Sequence, residues 1–326
     1  MTAKSQQKTD FIDLQRPLTD HLSLFNNMQI NLSGVERRVN SLVGRRSVKN
    51  EEQVAWMLRA ISCIDLTTLA GDDTPGRVAR LCHKAKSPLR SDLLKQLGFE
   101  DGELTTGAVC VYHAMVPSAY EILKDTNIPI AAVSTGFPAG LAPTETKLRE
   151  IELSVQAGAT EIDIVITRAH VLTQNWQALY DEIKAFKQAC GKAHMKTIIA
   201  TGELGSLSNV AKASMVAMLA GSDFIKTSTG MESTNANRVV TLVMLRMIRE
   251  FYQLTGKKIG FKPAGGIRTA KEAINYLIMI KEELGNDWLH ADLFRFGASG
   301  LLTDLEKQIE YHLTNRYSAD HRHSIA

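Results

Sequence analysis

Eight short apolar runs recur along this chain, and between them lie segments with the apolar spacing of helices. The runs begin near Ile64 (IDL), Ala108 (AVCVY), Ile130 (IAAVST), Glu161 (EIDIVI), Lys196 (KTIIAT), Asp223 (DFIKT), Lys258 (KIGFK) and Asp292 (DLFRFG). Leu148, Ile151 and Val155 show the helical period in one intervening segment, and Ala273, Ile274, Leu277 and Ile278 in another. Strands that alternate with helices build parallel βαβ units, and eight such units favour a closed barrel over an open sheet. The predicted fold is α/β, a (β/α)8 TIM barrel over residues 51–316. It is preceded by an N-terminal extension over 1–50, partly helical or loop with one or two short helices, and followed by a flexible tail over 317–326. The basic stretch from Asn40 to Asn50 reads as loop. Two helix-to-strand joints look like diverged copies, QAGATEIDI and LAGSDFIKT, and Gly158 and Gly221 are expected to cap the helices that end there.

Composition narrows the function. With 38 basic and 35 acidic residues the net charge is +3, and no basic face of the kind that binds nucleic acid is visible. Cys63, Cys82, Cys110 and Cys190 form no CxxC pair, which suggests neither a zinc site nor a disulfide framework. The opening MTAKSQQKTD has no apolar segment of a secretory signal, and no run approaches the roughly 18 apolar residues of a membrane span. A cytoplasmic protein that binds neither membrane nor nucleic acid is expected. The sequence leaves the oligomeric state open, with a homodimer as the working expectation.

Active sites of parallel barrels lie at the C-terminal ends of the strands. There the chain places Lys226 after Asp223-Phe224-Ile225, Lys262 after Ile259-Gly260-Phe261, and Asp163 between Ile162 and Ile164. A lone lysine is usually a solvated surface group, and a lone Asp163 could equally serve a structural ion pair. Together, at the ends of neighbouring strands, they suggest chemistry. A second ammonium and partial desolvation both lower the pKa of an amine, and an unprotonated lysine attacks carbonyls. Asp163 could then move protons through a water. Gly265-Gly266-Ile267-Arg268-Thr269 and Gly297-Ala298-Ser299-Gly300 lead from the seventh and eighth runs into helices, a usual place for phosphate. Thr227-Ser228-Thr229-Gly230 adds hydroxyls on the same side. Cys110 reads as a core residue, as do Met215, Met218, Met244 and Met247. His312, His321 and His323 read as solvated, and no group has metal-ligand spacing.

The motifs DFIKTSTG (223–230), GFKPAGGIRTAKEA (260–273), EIDIVI (161–166), IDLTTL (64–69) and RFGASG (295–300) resemble those of the deoxyribose-phosphate aldolases, in order and over most of the chain. The extension is similar to that of the longer, eukaryotic-type members. The resemblance implies a class I aldolase without metal or other cofactor, which reversibly cleaves 2-deoxy-D-ribose 5-phosphate to glyceraldehyde 3-phosphate and acetaldehyde. It implies Lys226 as the Schiff-base lysine, Lys262 as the residue that perturbs it, and Asp163 as the proton shuttle. It further implies substrate contacts at Asp65, Thr67, Thr229, Gly230, Gly265, Gly266, Gly297 and Ser299. Two departures stand out: Met231 where many members carry lysine, and a last tyrosine at Tyr317 instead of at the terminus. A transaldolase-like enzyme and a barrel that binds a phosphosugar without turning it over are the competing readings. The intact Asp163, Lys226 and Lys262 set argues against the latter.

Overall fold

The computed structural model describes residues 11–25, 28–45 and 47–324. After a short 3-10 turn at Leu18–Leu24 come α1 (Leu32–Arg45) and α2 (Asn50–Ser62). The barrel follows as β1 (Ile64–Thr67), α3 (Pro75–Lys86), α4 (Ser91–Gln96), β2 (Ala108–Tyr112), α5 (Val116–Leu123), β3 (Ile130–Ser134), α6 (Thr144–Gln156) and β4 (Glu161–Val165). It continues with α7 (Arg168–Leu172), α8 (Trp176–Cys190), β5 (His194–Ile198), α9 (Leu207–Leu219), β6 (Phe224–Lys226), α10 (Arg238–Thr255), β7 (Gly260–Lys262), α11 (Ala270–Leu284), β8 (Phe296–Ala298) and α12 (Gly300–Thr314). Each of the eight apolar runs overlaps a strand.

All neighbouring strands are parallel, in the order β7-β6-β5-β4-β3-β2-β1-β8. The ring closes between β7 and β8 through two isolated parallel bridges, Phe261 to Phe294 and Ala264 to Gly297. The strands are buried on both faces, so their apolar residues run on without alternation. Val109, Val111, Ile162 and Ile164 join the main core between strands and helices. Met215, Met218, Met244 and Met247 are buried as read, and all four cysteines are buried free thiols.

The two echoed joints share one geometry. Gly158 and Gly221 have φ of 107° and 103°. Each donates to the carbonyl three residues back (Val155, Met218), and the next residue donates to the carbonyl five back (Ser154, Ala217). That is the Schellman arrangement, which ends α6 and α9 and turns the chain into β4 and β6.

Two expectations are corrected. The stretch from Asn40 to Asn50 is not all loop, because α1 runs to Arg45; Arg46 lies outside the described residues. Val35, Val39 and Leu42 form one buried stripe, which docks on α10 and α11, and Arg38 on the flank pairs with the buried Glu283 at 3.0 Å. The basic residues had masked an amphipathic helix. His323 is buried and not solvated: its ring nitrogens lie 3.4 Å from Glu306 and 3.2 Å from Glu310. Those glutamates, four apart on α12, are themselves buried and need partners, and the tail adds His323 and Arg322 to the Lys84 and Arg90 already paired with them.

Candidate active site

Lys226 and Lys262 are the last residues of β6 and β7, and they are register partners. Asp163 is central in β4 and points to the same interior. Its Oδ2 accepts from Lys226 Nζ at 2.9 Å and from Lys262 Nζ at 2.7 Å. Lys262 Nζ also donates to Asp65 Oδ2 of β1 at 2.5 Å. All four side chains are buried.

Burial sets the electrostatics, and neighbours then divide the outcome. For Lys226, burial disfavours the ammonium, Asp163 opposes that, and Lys262 reinforces it; the pKa falls below that of an ordinary lysine. For Lys262, burial acts in the same direction, but Asp163 and Asp65 outweigh it and hold the ammonium. Burial would raise the pKa of Asp163, yet Lys196, Lys226 and Lys262 hold its carboxyl well below the usual range. One strand end therefore carries an amine biased toward its neutral, nucleophilic form, beside a fixed cation and a fixed anion. Cys110 is fully buried, and burial raises its thiol pKa, which disfavours the nucleophilic thiolate.

Above this group lies a cavity of about 640 Å³, and Lys226 is in its wall. Thr67, Thr229, Gly230, Gly265, Gly266, Gly297 and Ser299 line it too, so seven of the eight expected substrate contacts converge on one space. Asp65 does not reach it: this carboxylate sits one layer below, between Lys262 and Arg295. Gly265 and Gly266 have φ of 81° and 85°, the left-handed region that glycine tolerates. Their amides donate to no protein acceptor among the described residues. The amide of Gly297 is spent on the Pro263 carbonyl at 2.9 Å, so Gly297 contributes room. A Cβ there would stand 2.8 Å from Ala264 Cβ and 3.2 Å from Lys262 Cε. Ser299 is the N-cap of α12 but makes no side-chain cap bond, and the first turn of that helix carries no acidic residue. Free amides and a helix N-terminus favour an anion at this end. Met231, 55% exposed, and the exposed Arg268 stand at the rim.

A family model described as DeoC/LacD family aldolase matches residues 59–303, three quarters of the chain. The chain belongs to this aldolase family. A deoxyribose-phosphate aldolase of Mus musculus is 59% identical over 302 residues, covering 92% of this chain and 95% of that one. The Homo sapiens protein of the same name is 58% identical with the same coverage. Among solved structures, a putative deoxyribose-phosphate aldolase from Toxoplasma gondii superposes with a TM-score of 0.68 at 20% identity, over 84% of this chain and 99% of that one. One from Coccidioides immitis gives 0.62 at 22%, over 84% and 98%. At such identities the structures speak for the barrel alone.

Three charged residues of this aldolase escaped the sequence reading. Lys196 of β5 is fully buried and donates to Asp163 Oδ1 at 3.1 Å and, in a very short contact, to Glu161. Arg295, just before β8, donates to Asp65 Oδ1 at 2.6 Å and to Glu161 Oε1 at 2.9 Å. Glu161 and Lys196 stand at the polar heads of their runs, where a charge reads as a solvated flank, and Arg295 lies inside its run between Phe294 and Phe296. The available signal was strand alternation: Glu161 shares a face with Asp163, and Lys196 is the register partner of Asp163.

Proposed function

We propose that this aldolase reversibly cleaves 2-deoxy-D-ribose 5-phosphate to D-glyceraldehyde 3-phosphate and acetaldehyde through a Schiff base on Lys226. The carrying observation is the pair of lysines sharing Asp163 Oδ2 beneath a cavity that ends in two glycine turns. Neutral Lys226 adds to the C1 aldehyde of the open-chain sugar, and the carbinolamine loses water to give an iminium. A base removes the proton of the C3 hydroxyl, and the C2–C3 bond breaks. Its electrons flow into the iminium and leave an enamine, while C3 to C5 depart as glyceraldehyde 3-phosphate. Protonation of the enamine at C2 regenerates an iminium, and water releases acetaldehyde and free Lys226. Asp163, held as a carboxylate, is the proton acceptor and relays protons through a water. Lys262 keeps its charge and disfavours protonation of Lys226. The amides of Gly265 and Gly266, the Ser299 hydroxyl and the start of α12 would take the 5-phosphate; Thr67, Thr229 and Gly230 would face the sugar.

The electron sink is the iminium, so the reading needs no metal or other cofactor. It takes residues 51–316 as the catalytic domain, with 1–50 as an extension and 317–326 as a tail. We place the enzyme in the cytoplasm, as a homodimer that binds a phosphosugar and neither nucleic acid nor membrane. Among the described residues no helix is long and apolar enough to cross a membrane.

The test is reduction with borohydride in the presence of acetaldehyde. An ethyl group mapped to Lys226 is expected, and one on Lys262 would reverse the assigned roles. Retro-aldol assays with deoxyribose 5-phosphate and fructose 6-phosphate, side by side, fix the substrate. Turnover of the ketose alone would replace this reading with a transaldolase-like one.

A further inference from the structure

Seven ionisable side chains form one connected group inside the barrel, and none is more than 4% exposed: Asp65, Glu161, Asp163, Lys196, Lys226, Lys262 and Arg295. Six of the eight strand walls contribute to it. Asp65 comes from β1, Glu161 and Asp163 from β4, Lys196 from β5, Lys226 from β6, Lys262 from β7, and Arg295 from the segment entering β8. β2 contributes Cys110, a thiol kept neutral by burial, and β3 contributes the apolar Ala131 and Val133. Cys63, beside Arg295, is likewise held neutral, its pKa pushed up to about 12 by burial.

The group holds three carboxylates and four bases. A net charge sealed from water is costly, so the least costly state has three anions, three cations and one neutral base. Contacts decide which base is neutral. Lys196 touches all three carboxylates: Glu161 in a very short contact, Asp163 at 3.1 Å and Asp65 at 3.6 Å. Lys262 touches two, Asp65 and Asp163. Arg295 touches two, Asp65 and Glu161, and a guanidinium does not deprotonate in a protein. Lys226 touches only Asp163, through an oxygen it shares with Lys262. It is the least compensated base, and the only member of the group in the cavity wall.

We propose that Glu161, Lys196 and Arg295, which reach no substrate, are positioning residues: by fixing the charge count of the barrel interior they leave Lys226 as its one uncharged base. The inference rests on Lys226 being the Schiff-base residue. The pKa directions agree, since burial and Lys262 depress Lys226 while carboxylates hold Lys196, Lys262 and Arg295 above their ordinary values.

Parity makes a prediction that a merely structural role does not. Lys196→Met removes one cation and leaves three carboxylates facing three bases, so Lys226 must carry a proton to balance them. Glu161→Gln in the same chain removes one anion and frees Lys226 again. The measurement is the rate of ethyl labelling of Lys226 by acetaldehyde and cyanoborohydride over a series of pH values, with circular dichroism and melting on each variant. In Lys196→Met the rising limb should move upward, with labelling at neutral pH falling by up to about tenfold for each pH unit moved. The double variant should return the limb toward that of the unaltered protein, although it has lost two buried groups. Arg295→Gln, alone and with Glu161→Gln, repeats the logic independently and carries the test if Lys196→Met does not fold. A limb that stays put in the folded single variants, or a double variant no better than its parent, overturns the proposal. Failure of the unaltered protein to label at Lys226 has a different meaning: it removes the Schiff-base reading itself.

Discussion

Replacing Lys262 by methionine keeps a straight side chain and removes only the ammonium, so it isolates the charge felt by Lys226. Two amines bonded to one oxygen at 2.9 and 2.7 Å lie no more than about 5.6 Å apart, and at an effective dielectric of about 20 unit charges at that distance repel by about 3 kcal/mol. That repulsion acts only on protonated Lys226. Its loss should therefore make the neutral amine about a hundredfold scarcer at any pH below its titration. Asp163, relieved of one cation, would hold the ammonium of Lys226 harder, which acts in the same direction. The sign is definite: the group whose pKa is depressed loses part of its depression, so activity appears only at higher pH. The assay is kcat/KM for deoxyribose 5-phosphate across pH, with melting curves to show that the variant is folded. The expected result is a loss of about hundredfold near neutrality that narrows as the pH rises. A uniform loss at all pH values, with the limb unmoved, would refute the electrostatic reasoning and make Lys262 a positional or proton-transferring group instead.

Three further outcomes are expected. Met231→Lys places a charge on the cavity rim and should lower KM for the phosphorylated sugar by about 5- to 30-fold, with less effect at high salt; an unchanged KM at low ionic strength would mean that Arg268, on the same rim, already does this. Gly297→Ala sets a Cβ against Ala264 and the Lys262 side chain, so it should cost about 1–3 kcal/mol in stability and lower kcat more than tenfold; a variant with native melting and kcat would show that the seam relaxes freely. EDTA should leave activity unchanged because the iminium is the electron sink, whereas loss with EDTA and recovery with zinc would remove the Schiff-base reading.

The fold was legible because a barrel strand must be apolar on both faces, and that makes an uninterrupted run that sequence shows directly. Lys226 and Lys262 were legible for the same reason, as charges where a run ends. Lys196, Glu161 and Arg295 were not, because a charge at the head of a run, or inside one as Arg295 is, looks the same whether it faces solvent or a partner across the barrel. Only closure tells the two apart, since it brings Arg295 onto Asp65 and Glu161, which lie 230 and 134 residues away along the chain. The C-terminal end of helix α1 was obscured by arginines beside a correct apolar period, and the tail by the assumption that histidines near a terminus are wet.

The join between β7 and β8, held by two isolated bridges, is the lightest in the ring. Yet Lys262 and both glycine turns are mounted on it. Helix α2, which precedes the first strand, lies against both α11 and α12, the helices that follow those two strands. It therefore acts as a splint across the join. Mechanical rigidity of the end that carries both glycine turns would then be set from the outer surface, by a segment that does not line the cavity. Trimming or redesigning that splint is a way to adjust how firmly the ring grips its cargo without altering a single cavity residue.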